Sequence, residues 1–259
     1  MTGMVCAREG IKLIDEVKTA RWQRAPVHPI LKENSLHLWR VNLEKICNIS
    51  GSLKILSADE RARCMRLISA EKQAAFASAR LSLRIILSRY LGLLPEEIQF
   101  GYSRLGKPYL VHPSLSEDIQ FNLSHSGRWM VLGICKRSNV GVDVEKIRLV
   151  NQNWALVQLF SVKEWAYISS APKNKQNTAF IAAWTIKEAA AKASGGGLAC
   201  MNQSKYLPLE SEEMLSKNGF VKFWEEPFWF IHFIPVNGYL STAAVESIDE
   251  PEVHFYEFS

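Results

Sequence analysis

Three stretches of this 259-residue chain combine residue types and spacing that can do chemistry. The first is Trp184-x-x-x-Glu188-x-x-x-Lys192. At helical periodicity the indole, the carboxylate and the ammonium share one face, with Lys187 flanking it. A solvated helix with one Glu–Lys pair accounts for the same spacing. The second is Gly141-Val142-Asp143-Val144-Glu145. On a strand, Asp143 and Glu145 project to one side, where like charges favour a cation between them. A hard ion such as Mg²⁺ takes oxygen ligands and keeps waters and substrate phosphates in its shell. A solvated strand end is the plain alternative. Glu188 would supply a third carboxylate.

The third stretch is Phe121-Asn122-Leu123-Ser124-His125-Ser126-Gly127. Its hydroxyls, imidazole and turn amides suit a phosphate cradle, although serines that merely stabilise a turn look the same. Cations lie elsewhere in the chain. Arg80 and Arg84 stand one helical turn apart, as do Lys72 and Phe76, and Gly106-Lys107-Pro108 sets a lysine in a tight turn. Such residues suit a ligand with several phosphates, and each taken singly also suits a solvated surface. No G-x-S-x-G, Walker A or dinucleotide-binding glycine pattern occurs, which argues against a serine hydrolase, a P-loop protein or a Rossmann fold. Glycines 195–197 follow a helix and so end it; they do not form a phosphate loop.

The elements that must position these residues can be read from capping and periodicity. Ser57-x-x-Glu60 and Ser161-x-x-Glu164 are capping boxes that open helices. Helical sequence follows over 70–94 and 178–194. Strands are expected at 36–41, 121–124, 129–135, 140–144, 219–224, 228–235 and 239–247, with Ser-His-Ser-Gly as the turn of a hairpin. Ser57/Ser161, Glu60/Glu164, Phe76/Phe180, Ala79/Ala183 and Arg84/Glu188 recur at one constant offset. That register points to a duplicated unit of roughly a hundred residues. The expected fold is α+β, with two similar lobes in a pseudo-twofold arrangement around a ligand cleft. Residues 1–34 form an N-terminal extension, 35–138 the first lobe, 139–247 the second lobe with the carboxylates, and 248–259 a tail packing on the first lobe.

Apolar residues make up 47% of the chain and charged residues 22%, as in ordinary globular proteins. The formal charge of +5 fits an anionic partner, whether nucleotide, nucleic acid or acidic protein. Five scattered cysteines without C-x-x-C argue against a disulfide framework or structural zinc. No apolar run reaches membrane-spanning length, and the charged N-terminal stretch is unlike a signal peptide. A soluble, cytoplasmic protein is expected.

Taken together and in order, these stretches resemble the 4′-phosphopantetheinyl transferases of the surfactin-synthetase-activating type. The likeness rests on Gly106-Lys107-Pro108, the Phe121–Gly127 stretch, Gly141–Glu145, Phe160-Ser161-x-x-Glu164, and Trp184-x-x-Lys187-Glu188-Ala189-x-x-Lys192-x-x-Gly195-x-Gly197-Leu198. It extends back to about residue 56 through L-S-x-x-E. The resemblance implies transfer of the phosphopantetheine arm of coenzyme A to a serine of an apo acyl- or peptidyl-carrier protein, releasing adenosine 3′,5′-bisphosphate. It implies Mg²⁺, or Mn²⁺ in its place, on Asp143, Glu145 and Glu188. Glu188, directly or through a water it orients, would take the serine proton. Lys192 would stabilise the pyrophosphate, with Lys187 close by. Ser124 and His125 would bind CoA phosphates, and Gly106, Lys107 and Pro108, helped by Arg80 and Lys72, would line the adenine and 3′-phosphate region. A monomeric pseudodimer acting on neither nucleic acid nor membrane follows. This chain departs at Ala190, where relatives often carry an aromatic residue, and at Ala74-Ala75, where the basic cluster is thinner. A non-catalytic CoA- or nucleotide-binding relative and a Mg²⁺-dependent phosphodiesterase are the alternatives.

Overall fold

A computed structural model of the chain describes residues 17–46, 54–111, 118–149, 159–197, 219–223 and 226–259. Residues 1–16 of the expected extension, Leu198 of the glycine motif and Trp224 of an expected strand lie outside them. Within the expected N-terminal extension, β1 (Gln23–Arg24) adds to the edge of the first sheet; the first lobe contains β2 (Ser35–Asn42), α1 (Ala58–Met65), α2 (Ala70–Leu91), a small hairpin of β3 (Phe100–Tyr102) and β4 (Pro108–Leu110), then β5 (Ile119–Ser126) and β6 (Trp129–Lys136). The second lobe contains β7 (Val140–Lys146), α3 (Val162–Ser170), α4 (Gln176–Ala193), β8 (Gly219–Phe223), β9 (Glu226–Phe233) and β10 (Tyr239–Glu246). Last comes β11 (Glu252–Phe258).

One sheet runs β1-β11-β2-β6-β5 and the other β7-β10-β9-β8. In each, the strand that precedes the helix pair lies antiparallel to the strand that ends the lobe: β2 with β6, and β7 with β10. The two lobes therefore share one topology, as a duplication requires. The C-terminal β11 pairs parallel with β2, so the tail returns to the first sheet. Helices cover the outer faces and the two sheets pack face to face. Leu83, Ile86 and Leu87 of α2 meet Trp39, Met130 and Leu132. On the other side, Phe180, Ala183 and Ile186 of α4 meet Phe228, Phe230 and Leu240. Between the sheets lie Leu36, Leu38 and Val131 against Val142, Val144 and Ala243. Each such fully buried aliphatic side chain contributes about 2 kcal/mol to folding. Among the described residues no helix is long and apolar enough to cross a membrane.

Both capping boxes form. Ser57 Oγ accepts from the Glu60 amide while the Glu60 carboxylate accepts from the Ser57 amide, and Ser161 and Glu164 repeat the pattern. Each capping glutamate also holds a buried cation from the following helix. Arg84 donates to Glu60, 24 residues back, and Lys187 donates to Glu164, 23 residues back. The repeat thus slips by one residue within the second helix of each lobe. Arg84 corresponds to Lys187, and Glu188 stands where the first lobe has Ile85; the constant offset had paired it with Arg84.

Helix α4 approaches β7 closely because Gly141 has no side chain. A Cβ there would lie 2.0 Å from the Ala189 carbonyl oxygen and 2.4 Å from the Ala193 amide nitrogen, both backbone atoms that cannot swing away. Gly141→Ala is expected to destabilise the chain by about 3 kcal/mol or more in thermal melts, because the helix must lift off its strand. An unchanged melting temperature contradicts this packing.

Two imidazoles, His37 buried and His232 partly so, are expected to make the fold acid-sensitive. Trp39 Nε1 donates to the Tyr90 hydroxyl at 2.8 Å, which leaves the phenol proton for His37 Nδ1, also 2.8 Å away, while the ring is neutral. Burial, and then His254, push the His37 pKa down from 6.5 to about 4, and burial does the same to His232. The unfolded chain binds these protons near pH 6.5 and the folded chain only near 4, so stability present above pH 6.5 falls as pH drops towards 4. At pH 5 each imidazole costs about 2 kcal/mol. Two of the six histidines are expected to remain neutral at pH 5 in an NMR titration, with the urea midpoint falling in parallel. Six ordinary titrations would refute it.

Candidate active site

At one margin of the two packed sheets, β5 lies beside β7. Along β5, Phe121 and Leu123 turn into the first-lobe core. The alternate residues Asn122, Ser124 and Ser126 face β7, as the two-residue period of a strand requires. The Ser124 hydroxyl donates to Asp143 Oδ1 at 2.8 Å, and the Ser126 hydroxyl donates to Glu145 Oε2 at 2.8 Å. Asn122 Oδ1 accepts from the Val142 amide at 2.8 Å. The expected Ser-His-Ser-Gly turn is therefore mostly strand: β5 runs through Ser126, and the turn is Gly127-Arg128. Gly127, at φ 55°, supplies the positive φ that a two-residue hairpin loop demands.

Helix α4 brings Glu188 and Lys192 over the same strand. Lys192 Nζ lies 2.7 Å from Asp143 Oδ1, 3.1 Å from Ser124 Oγ and 3.2 Å from the Val142 carbonyl oxygen. Its distance to Glu188 Oε2 is 3.7 Å. Burial, and beyond it the charges of Asp143 and Glu145, raises the Glu188 carboxyl above the ordinary range, with Lys192 opposing. Burial and Asp143 also raise Glu145, against its hydrogen bond from Ser126. Among the described residues Asp143 Oδ2 is buried with no hydrogen-bond partner. Oxygen donors that repel one another, one of them orphaned, fit a hard divalent cation. Among the described residues no three such side chains are already closed into a ligand set; the Lys192 ammonium sits among these carboxylates.

The remaining predicted site residues are distributed unevenly. His125 lies on the opposite face of β5 from Ser124 and is exposed; local desolvation and the Lys192 charge hold its pKa below the ordinary value. Gly106, at φ 82°, and Pro108 shape the β3–β4 turn. From that turn Lys107 Nζ donates to the carbonyls of Lys192 at 2.7 Å and Val140 at 3.2 Å. Lys107 thus ties the end of α4 to β7, and desolvation lowers its pKa to about 8. Three residues stand apart from the cluster. Lys187 is only 2% exposed and its amine is held by Glu164 at 2.8 Å, so it belongs to the core and not to the ligand face. Arg80 is likewise a core residue, with its guanidinium 3.9 Å from Glu60 and over the rings of Phe76, Phe100 and Tyr102. Lys72 is exposed on the first turn of α2.

Asn122 was not among the expected site residues, and Ser126 was expected only as a hydroxyl of the phosphate cradle, not as a partner of Glu145. Their signal was the alternation N-x-S-x-S, which on a strand puts three polar side chains on one face. A cavity of about 670 Å³ opens between the lobes beside them, lined by Gly127, Arg128, Lys146, Tyr239, Ala74 and Ala75. A hollow of about 190 Å³ adjoins Lys107 and the end of α4. Another of about 490 Å³, near Arg24, His28 and Arg89, is remote from the carboxylates.

Comparison with known proteins places this arrangement. Residues 139–233 match the family model described as the 4′-phosphopantetheinyl transferase superfamily, and residues 39–136 match 4′-phosphopantetheinyl transferase, N-terminal. The chain is 30% identical over 227 residues to the 4′-phosphopantetheinyl transferase HetI of Nostoc sp., covering 86% of this chain and 93% of HetI. It is 34% identical over 152 residues to a putative 4′-phosphopantetheinyl transferase of Synechocystis sp., covering 58% and 61% of the two chains. It is 30% identical over 159 residues to the 4′-phosphopantetheinyl transferase Sfp of Bacillus subtilis, covering 61% and 66%.

Proposed function

The chain belongs to the 4′-phosphopantetheinyl transferase superfamily, and on that premise we propose that its cleft transfers the 4′-phosphopantetheine arm of coenzyme A to a serine of an apo acyl- or peptidyl-carrier protein. The observation that carries this reading is the Lys192 ammonium lodged between Asp143 at 2.7 Å and Glu188 at 3.7 Å, where α4 crosses β7. A cation and several carboxylates facing one cleft suit a polyanionic substrate held through a metal. Asp143, Glu145 and Glu188 would hold Mg²⁺, or Mn²⁺ in its place. The ion supplies neutralisation of the charge on the pyrophosphate.

The chain's own residues do the rest. The carrier serine oxygen forms a bond to the phosphorus that bears pantetheine, and the bridging P–O bond of the pyrophosphate breaks. The leaving group is adenosine 3′,5′-bisphosphate. Glu188 takes the serine proton on its carboxylate, and its raised pKa brings that group nearer the working pH of a general base. Lys192, with its side chain 26% exposed, meets the leaving phosphate; Lys187, at 2%, does not. Ser124 keeps Asp143 and Lys192 in register, and His125, exposed on the other face of the same strand, would contact CoA phosphates. One chain carries both lobes, so a monomer holds a complete cleft.

The test is product analysis by chromatography with CoA, Mg²⁺ and a panel of apo carriers. Adenosine 3′,5′-bisphosphate is expected only when the carrier serine is present, and a Ser→Ala carrier yields none. Bisphosphate released without any carrier would mark a phosphodiesterase. CoA binding with no product would mark a non-catalytic relative.

A further inference from the structure

Among the described residues β7 has one strand neighbour, β10, so its other edge offers backbone groups that an ordinary sheet would pair. Here side chains seal that edge. Lys107 Nζ donates to the Val140 carbonyl and Lys192 Nζ to the Val142 carbonyl, each at 3.2 Å. Asn122 Oδ1 accepts from the Val142 amide at 2.8 Å, and Ser126 Oγ accepts from the Lys146 amide at 3.2 Å. The sealed edge belongs to the strand whose Asp143 and Glu145 line the cleft.

We infer that Asn122 and Ser126 are positioning residues: by sealing the open edge of β7 they lock the strand beside β5, so that Asp143 and Glu145 meet a divalent cation in a fixed direction. The inference rests on the reading of Asp143, Glu145 and Glu188 as that cation's ligands. Ser126 uses its hydroxyl twice, accepting from the Lys146 amide and donating to Glu145. A hydroxyl has one proton to give and two lone pairs to take with, so both bonds are compatible. Alanine removes both and threonine keeps both. Asn122, only 5% exposed, grips the residue next to Asp143 through the Val142 amide. Partners that orient metal ligands from behind typically account for about 10- to 100-fold in metal affinity.

The test titrates Mn²⁺ alone into the full chain and reads the free ion by electron paramagnetic resonance, with near-ultraviolet circular dichroism recorded on the same samples. Ser126→Ala and Asn122→Ala are expected to weaken Mn²⁺ binding by about tenfold while the circular dichroism stays folded, and Ser126→Thr to stay within about twofold of the unmodified chain. Mn²⁺ binding unchanged in Ser126→Ala overturns the inference, as does a loss that Ser126→Thr shares. If Asn122→Ala loses its fold, the Ser126 pair decides. An unmodified chain that binds no Mn²⁺ overturns the ligand reading itself, and the inference with it.

Discussion

Glu188→Gln is expected to lower the transfer rate by about a thousandfold or more without weakening the fold. General-base catalysis by a positioned carboxylate contributes about 10²- to 10⁴-fold, and loss of a proposed metal ligand adds to that. Glutamine matches glutamate in shape, so the packing of α4 on β7 is retained. Removing the negative charge also relieves repulsion with Asp143 and Glu145, which together with burial raises the Glu188 pKa. The melting temperature should therefore hold or rise slightly, as when a functional group is removed from a strained site. Turnover measured by product release, beside a thermal melt, checks both halves. Turnover within about tenfold of the unmodified chain would remove Glu188 from the chemistry. A large drop in melting temperature would give it a structural role instead.

The second large effect falls one residue earlier and has the opposite character. Lys187→Met is expected to destabilise the chain by about 3–5 kcal/mol, the usual cost of stranding one partner of a buried ion pair. Glu164 is 1% exposed, and its carboxylate both caps α3 and accepts from the Lys187 amine at 2.8 and 3.1 Å. Without the amine, a buried carboxylate keeps its desolvation cost and loses its counter-charge. Glutamine can still close a capping box. The double variant Glu164→Gln with Lys187→Met should accordingly recover most of the loss in urea denaturation. Activity per folded molecule should change little in either variant. A Lys187→Met variant as stable as the unmodified chain would contradict the pairing, and a selective loss of CoA affinity would return Lys187 to the ligand face.

That contrast between neighbouring residues shows what could be read ahead of the structure. The two capping boxes were legible because a capping box is local, with both partners within one turn. The projection of Asp143 and Glu145 to one side was legible for a similar reason, since strand period alone dictates it. The duplication was visible in the shared order of cap, helix pair and strands. Its register within the second helices was not, because the one-residue slip is defined by Glu60 with Arg84 and Glu164 with Lys187, and these contacts join separate helices. Lys187 and Arg80 were expected near phosphates from the family resemblance, and neither charge type nor helical spacing could tell a ligand face from a buried pair. Burial turned both inward, onto Glu164 and Glu60.

The Ser-His-Ser-Gly segment misled for another physical reason. Serine and glycine favour turns because their side chains bond nearby backbone. Here the serine hydroxyls bond carboxylates of the other lobe, 19 residues away in sequence, and the segment stays extended. Lys107 gives the same lesson. A lysine in a tight turn suggested a phosphate contact, yet its amine spans from the first lobe to the carbonyls of Lys192 and Val140.

The central claim is that this cleft moves phosphopantetheine from coenzyme A to a carrier serine. The most direct measurement is the intact mass of an apo carrier after incubation with the chain, CoA and Mg²⁺. Several acyl- and peptidyl-carriers should be used, each known to be loadable. At least one carrier is expected to gain the mass of a single phosphopantetheine group, and the gain is expected to disappear when its serine is alanine. No mass gain on any of these carriers, from a chain that is folded and binds CoA, would contradict it.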